Sequence, residues 1–288
     1  MQVIDFDAVY TEDVVYLTTN YDYFYALKAN PHYTQLFRRK MHGKPRPIVF
    51  ADLWQNVFKL NKRVRRRIDR ALKLARPTAQ HKLVCGHVRL GKNPTIPNDS
   101  EVRNTMHSIK PLWNFLAHFK DPKKYRIFVP SDSDLVRTKV LDMFPGQAVD
   151  VKGEIMHVDK TQVEDACVGF EKVLADQYLL SMCDVLVLTY SVFGKSAAYM
   201  RRSNHDLYFM ENGTIKPLQL FKEWKLQKVD VSGECFVCLH MDLLINRGAH
   251  FWWRSWMCRS HCLWIAKLWH VLAGTVLKVS PFPFSVTV

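Results

Sequence analysis

From His81 onward the chain alternates short apolar runs with helix-length stretches, and this alternation limits the possible folds more than any other feature. The runs fall at 83–88, 125–129, 148–151, 185–188 and 207–210. Each is aliphatic or β-branched and ends abruptly in polar loop chemistry, as strands buried on both faces of a parallel sheet do. Helical patterns lie between them, at about 104–119, from the end of the Ser131-Asp132-Ser133 loop to Phe144, at 163–181 and at 196–202. Strand and helix in alternation predict an α/β fold with a parallel, Rossmann-like sheet, whose ligand crevice lies at the carboxyl ends of the strands.

Residues 1–80 read differently. A strand is expected at 13–17, a helix at 31–41 with Pro31 in its first turn, and a proline loop at 43–47. One helix is expected over 51–76. Val57, Leu60, Val64, Ile68, Leu72 and Ala75 form its apolar stripe, and Lys62, Arg63, Arg65, Arg66, Arg67, Arg70, Lys73 and Arg76 its other face. The plain reading of that face is the solvated outside of a helix packed on a sheet. The sharper one is contact with nucleic-acid phosphates or an anionic membrane. No aromatic residue interleaves the cations, which argues against a single-strand binder.

Beyond about residue 227 the α/β pattern stops. Five of the eight tryptophans lie between Trp252 and Trp269, and Arg254, Arg259 and Lys267 interrupt an apolar stretch too short between charges to cross a membrane. Cys235 and Cys238, with Cys258 and Cys262, approach a four-thiolate zinc spacing, and free thiols or disulfides fit equally well. Three parts are therefore expected: 1–80, 81–226 and 227–288.

With 41 basic and 27 acidic residues, the net charge of +14 favours an anionic partner without choosing among nucleotide, nucleic acid and lipid surface. A composition 48% hydrophobic and 24% charged excludes a disordered chain. The acidic opening MQVIDFDAVYTED is not a signal peptide.

Three of the strand ends carry chemistry. The first is His87-Val88-Arg89 followed by Gly91, the second Ser131-Asp132-Ser133, the third Ser191-Val192-Phe193-Gly194. In a parallel sheet all three reach one edge. Arg89 offers a permanently charged fork for a phosphate, and Gly91 allows close backbone approach. Asp132 can accept from a ribose hydroxyl or a base N–H. Ser191, with the backbone N–H groups ahead of a helix at Ser196, can hold phosphate oxygens. Capping and turn formation are the plain readings of Asp132 and Ser191.

The order HxRxG (His87 to Gly91), SDS (Ser131 to Ser133), LSxCD (Leu180 to Asp184) and SxFGxxA (Ser191 to Ala197) resembles the GDP-fucose-dependent fucosyltransferases. The closest group is the broad one with the α1,2-, α1,6- and protein O-fucosyltransferases, over about residues 81–210. The resemblance implies a GT-B fold whose second, Rossmann-like lobe binds the donor, with residues 1–80 a remnant of the first, acceptor-side lobe. It implies inverting transfer of fucose from GDP-fucose to a glycan or glycoprotein acceptor, with no required metal and no nucleic acid as partner. Arg89 would be the catalytic phosphate anchor, stabilising the leaving diphosphate. His87, Gly91, Ser131, Asp132, Ser191, Phe193 and Gly194 would complete the donor site. The Golgi or ER lumen is the implied compartment, with membrane attachment only through an anchor missing from this chain. Two departures stand out: Lys92 replaces the family's usual acidic residue, and most of the first lobe is missing. Both leave open a degenerate fragment that holds a nucleotide without turnover. Glu12, Asp13, Asp99 and Glu101 are candidates for the base that an inverting transfer needs, and spacing does not choose among them.

Overall fold

A computed structural model describes residues 5–9, 14–17, 24–41, 43–93, 99–156, 166–221, 242–246 and 250–254. It opens with helix α1 (Phe6–Val9), strand β1 (Val14–Leu17) and helices α2 (Phe24–Ala29), α3 (Thr34–Met41), α4 (Arg46–Val57) and α5 (Lys62–Ala75). The alternating region follows as β2 (Lys82–His87), α6 (Lys110–Leu116), β3 (Tyr125–Phe128), α7 (Asp134–Met143), β4 (Ala148–Val149), α8 (Ala166–Ser181), β5 (Val185–Leu188), α9 (Val192–Arg201), β6 (Leu207–Glu211) and β7 (Thr214–Pro217). Strands β8 (Asp242–Asn246) and β9 (His250–Arg254) pair antiparallel with each other, and β8 pairs with β1. Cys235, Cys238, Cys258 and Cys262 lie outside the described residues, so the zinc spacing has no structural counterpart here.

The expected α/β fold is what forms. The main sheet has the order β4-β3-β2-β5-β6-β7. Every pairing is parallel except that of β7, the edge strand, with β6. Counted from β2, the parallel strands run 3-2-1-4-5, the Rossmann order, and the winding reverses between β2 and β5.

Alternation along each strand divides the core into two layers. Leu83, Cys85, Leu186 and Leu188 face one side, with Leu174, Leu179 and Leu180 of α8 and Ala197 and Ala198 of α9. Val84, Val185 and Val187 face the other, with Leu112, Trp113 and Leu116 of α6 and Val136 and Val140 of α7. Burial on both faces explains why the strands read as unbroken apolar runs. Helix α5 belongs to the first layer. Val64, Ile68, Ala71 and Ala75 sit in the same cluster as Leu83 and Leu186. Helix α4 packs on α9, and Trp54 Nε1 donates to the Tyr178 hydroxyl at 3.2 Å. A disulfide joins Cys85 on β2 to Cys183, 98 residues later, inside this layer.

Three sequence expectations are corrected. The single helix at 51–76 is two helices. Phe58 leaves α4 extended, and Asn61 starts α5, its side chain accepting from Val64 N at 2.9 Å. Helix α9 starts at Val192, not Ser196. Ser196 lies buried within it, accepting from Gln177 Nε2 and donating to the Phe193 carbonyl at 2.9 Å. The helix expected from about 104 starts at Lys110, because Thr105 and Ser108 hydrogen-bond each other in a turn. The edge strand β7 was not foreseen. Its signal was Asn212-Gly213, both at positive φ in a two-residue hairpin loop.

Because α5 shares the sheet's core, Ile68→Ala is expected to lower global stability by about 2–5 kcal/mol. In a urea titration, α5 and the sheet unfold in one transition. Loss of α5 alone, with the sheet intact, would contradict that.

Candidate active site at the sheet's switch point

The three strand ends meet where the winding reverses. Val88 forms a parallel bridge with Ser131, and the Thr189 hydroxyl accepts from Arg89 N at 3.0 Å. The loops after β2, β3 and β5 are thus stitched to one another by backbone contacts. Ser131 turns back on its own loop, its Oγ accepting from Ser133 N at 3.2 Å.

His87 ends β2 with its side chain buried against the ring of Phe193, 5.4 Å between centroids. A Cβ on Gly194 would lie 2.8 Å from His87 Nδ1, so only glycine lets α9 approach the imidazole this closely. Among the described residues Nδ1 has no hydrogen-bond partner. Burial pushes the imidazole pKa down to about 4, so His87 is neutral at pH 7.

Arg89 does not stand free. Its Nη1 donates to Asp132 Oδ2 at 2.8 Å, and its Nη2 donates to Asp99 Oδ1 and to Ser100 Oγ. Its side chain is 14% exposed, against 2% for Asp99 and 8% for Asp132. Asp132 also accepts from Leu90 N at 2.8 Å and Gly91 N at 2.7 Å, so it anchors the loop after β2 rather than facing solvent. Burial tends to raise the Asp99 pKa, but bonds from the Asn93 and Ser100 backbone and from Arg89 outweigh it and hold the carboxyl below its usual range. Gly91 sits at φ +75°, and a Cβ there would fall 2.2 Å from the Glu101 carbonyl oxygen. The loop doubles back at this point, with Lys92 N donating to Ser100 O at 2.8 Å and Arg103 N to Leu90 O at 2.7 Å.

These bonds refine the sequence reading. Lys92 points outward toward Glu101, and Asp99, seven residues on, supplies the carboxylate that binds Arg89. Bound in this way, Asp99 is not the open general base it was a candidate to be. Glu12 and Asp13 lie outside the described residues. Ser191 precedes α9 as its N-cap without a side-chain capping bond. The LSxCD stretch lies at the opposite edge of the sheet. There Asp184 accepts from Leu83 N at 2.7 Å and pairs with Arg76 at 2.8 Å.

A hollow beside these loops lies beyond Ser131, lined by Pro130, Arg137, Asp150, Lys172 and Asp176. Arg137 grips Asp150 through Nε and Nη2 at 2.9 and 2.6 Å, and Lys172 Nζ lies 2.5 Å from Asp176 Oδ2. Asp176 Oδ1 is buried without a partner among the described residues. Burial raises the Asp176 pKa to about 6 despite Lys172. Sequence reasoning missed all four charged residues because they lie within helices or after a two-residue strand. At the other rim Arg103 stacks over Tyr190, 5.4 Å from its ring centre.

No protein-family model and no curated protein matches the chain. Solved structures do. The fucosyltransferase NodZ from Bradyrhizobium, and NodZ α-1,6-fucosyltransferase co-crystallised with GDP, are each 21% identical at TM-score 0.36 over 55% of this chain and 47% of that one. A mutant of Arabidopsis thaliana FUT1 in complex with GDP is 18% identical at TM-score 0.45 over 67% of this chain and 43% of that one. The chain therefore spans less than half the length of these structures.

Two outcomes follow from the geometry. Asp132→Asn is expected to weaken the Arg89 pair and loosen the backbone at Leu90 and Gly91, read as faster amide exchange there. His87 stays neutral when folded down to about pH 4 but takes a proton near 6.5 when unfolded. Its contribution is therefore complete above pH 6.5 and is lost as the pH falls toward 4, by about 3 kcal/mol. An NMR titration placing His87 near 6.5 in the folded protein would contradict this.

Proposed function

We propose that this chain carries the donor-binding lobe of a GT-B glycosyltransferase that transfers fucose, with inversion, from GDP-fucose to a glycan or glycoprotein. The observation that carries the reading is the meeting of the His87–Gly91, Ser131–Asp132 and Ser191–Gly194 loops at the switch point of a Rossmann-ordered sheet. Nucleotides bind at such a point. Among the described residues, three of the five guanidinium N–H donors of Arg89 are taken by Asp132, Asp99 and Ser100, which leaves Nε–H and one Nη1–H for diphosphate oxygens. The first turn of α9 offers its backbone N–H groups beyond Ser191. The two remaining Arg89 donors and the α9 amino end are the groups that would face a leaving diphosphate, and the reading invokes no metal. A Golgi or ER lumen is consistent with the Cys85–Cys183 disulfide, since such bonds persist in oxidising compartments.

One observation favours a second reading. Asp99 and Asp132 outnumber Arg89, and neutral His87 adds no charge, so the cluster carries about one net negative charge. That weakens anion binding and suits a lobe that holds a nucleotide without turnover.

Calorimetric titration separates these readings from a non-nucleotide role. GDP is expected to bind more tightly than UDP. Equal affinity for GDP and UDP in the unaltered chain removes the guanosine assignment. A radiolabelled GDP-fucose assay with mixed glycan acceptors then distinguishes transferase from holder by the appearance of fucosylated product. Arg89→Ala is a poor probe of binding alone, because it strands two buried carboxylates at a cost of about 3–5 kcal/mol.

A further inference from the structure

Helix α5 carries seven cations and one carboxylate, and most of that charge is not used inside the fold. Some of it is. Arg63 pairs with Glu171 at 2.8 Å, and Arg67 Nη1 donates to the Lys152 carbonyl at 2.6 Å while Nη2 lies 3.8 Å from Glu171. Lys62, Arg66, Arg70 and Lys73 are different. They recur at four, four and three residues on the face opposite Val64 and Ile68, and all four are exposed. None of them has a carboxylate partner among the described residues. The Arg70 Nε bond goes to the Arg66 backbone carbonyl, at 3.2 Å. Exposed Asp69 is the only acid on the helix. From Lys62 to Lys73, steps of about 1.5 Å per residue make a cationic line about 16 Å long.

The line has a direction. Helix α5 runs into β2 and α8 runs into β5, both antiparallel to the strands, so their amino ends lie at the carboxyl edge of the sheet. The Arg63–Glu171 pair fixes those two ends side by side. Arg67 holds the carbonyl of Lys152, and Arg137, from the hollow, holds the adjacent carbonyl of Gly153 at 3.0 Å. The Lys62 end of the line is therefore one loop away from the hollow at the candidate site.

We propose that the outward line Lys62, Arg66, Arg70 and Lys73 on α5 binds a linear acidic polysaccharide and leads it toward the carboxyl edge of the sheet. The glycan class, as an extended acceptor, rests on the glycosyltransferase reading above. The line itself rests on charge complementarity: four exposed cations at successive turns, outnumbering the single Asp69 beside them, match a polymer that repeats an anionic group along its length. Other polyanions fit less well. Helix α5 has no aromatic side chain for bases to stack on. Its apolar face is committed to the core, and Leu74, exposed at one side, is the lone apolar residue available to a lipid surface.

The test uses the full chain and the variant Lys62→Gln/Arg66→Gln/Arg70→Gln/Lys73→Gln, with matched circular dichroism and melting curves as the folding control. Polygalacturonate and heparin are the acidic probes, dextran the neutral one. The expected result is binding of an acidic probe and not dextran, weakened roughly tenfold or more by raising salt from about 50 to 200 mM. The folded variant is expected to lose at least tenfold in affinity. Undiminished binding by the variant overturns the proposal. So does no binding of either acidic probe, or tighter binding of duplex DNA or phosphatidylserine vesicles. GDP titrated into both proteins reads the donor site separately and is expected to bind them equally. Polysaccharide binding without GDP binding would overturn the glycosyltransferase reading while supporting the cationic line.

Discussion

The carboxylate of Asp132 holds the candidate site in shape. It accepts from Leu90 N, from Gly91 N and from the Arg89 guanidinium, all within 2.8 Å. Those donors belong to the loop after β2, while Asp132 belongs to the loop after β3. One buried anion therefore fixes the relative position of two strand ends. Such a group is stable only when its oxygens are filled by donors, and here they are. The conformation at Gly91 follows from the same contact. The backbone can present Leu90 N and Gly91 N together and still double back past Glu101 only with a positive φ and no Cβ.

The sequence carried the fold more openly than the site. Strands β2 and β5 are buried on both faces, so apolar content alone locates them, whatever their exact ends. Where a helix depends on local chemistry, the apolar stripe misleads. Val57 and Leu60 continue the spacing of Val64 and Ile68, yet the chain breaks between them and Asn61 restarts it with a capping bond. Ser196 likewise looks like a helix start, but its hydroxyl is satisfied within the helix and by Gln177 of α8. The polar residues that converge at the edge were legible because they follow apolar runs. Their partners were not. Arg89 and Asp132 are 43 residues apart, and only a folded sheet brings them together. Asp176 is hidden more deeply, because a lone carboxylate within an apolar helix gives no sign of which way it points.

The covalent link between Cys85 and Cys183 strengthens the same place in the sheet. Cys85 lies on β2 and Cys183 just ahead of β5, so the bond spans the two strands between which the winding reverses. Asp184, next in sequence, accepts from Leu83 N and pairs with Arg76. Together these contacts bind the amino ends of β2 and β5, while Asp132 and Thr189 bind their carboxyl ends. The switch point is thus fixed at both edges, and the site residues sit on a rigid frame.

Charge is divided unevenly between the surface and this frame, and the division matters for binding. The chain as a whole is strongly basic, yet three cations of the site are already matched: Arg89 by two carboxylates, Arg137 by Asp150, Lys172 by Asp176. Long-range attraction of an anion then comes from exposed cations such as those of α5, through a field that salt screens over about 10 Å. Short-range capture is a different problem. An incoming phosphate must use the donors Arg89 has left, or compete with Asp99 for those it has given away. Asp132 ties two strand ends together, whereas Asp99 is held by Asn93 N and Ser100 N of its own loop, so Asp99 is the partner that exchange would displace more readily. If the site holds a phosphate as proposed, its affinity depends on how firmly Asn93 N and Ser100 N hold Asp99 against Arg89.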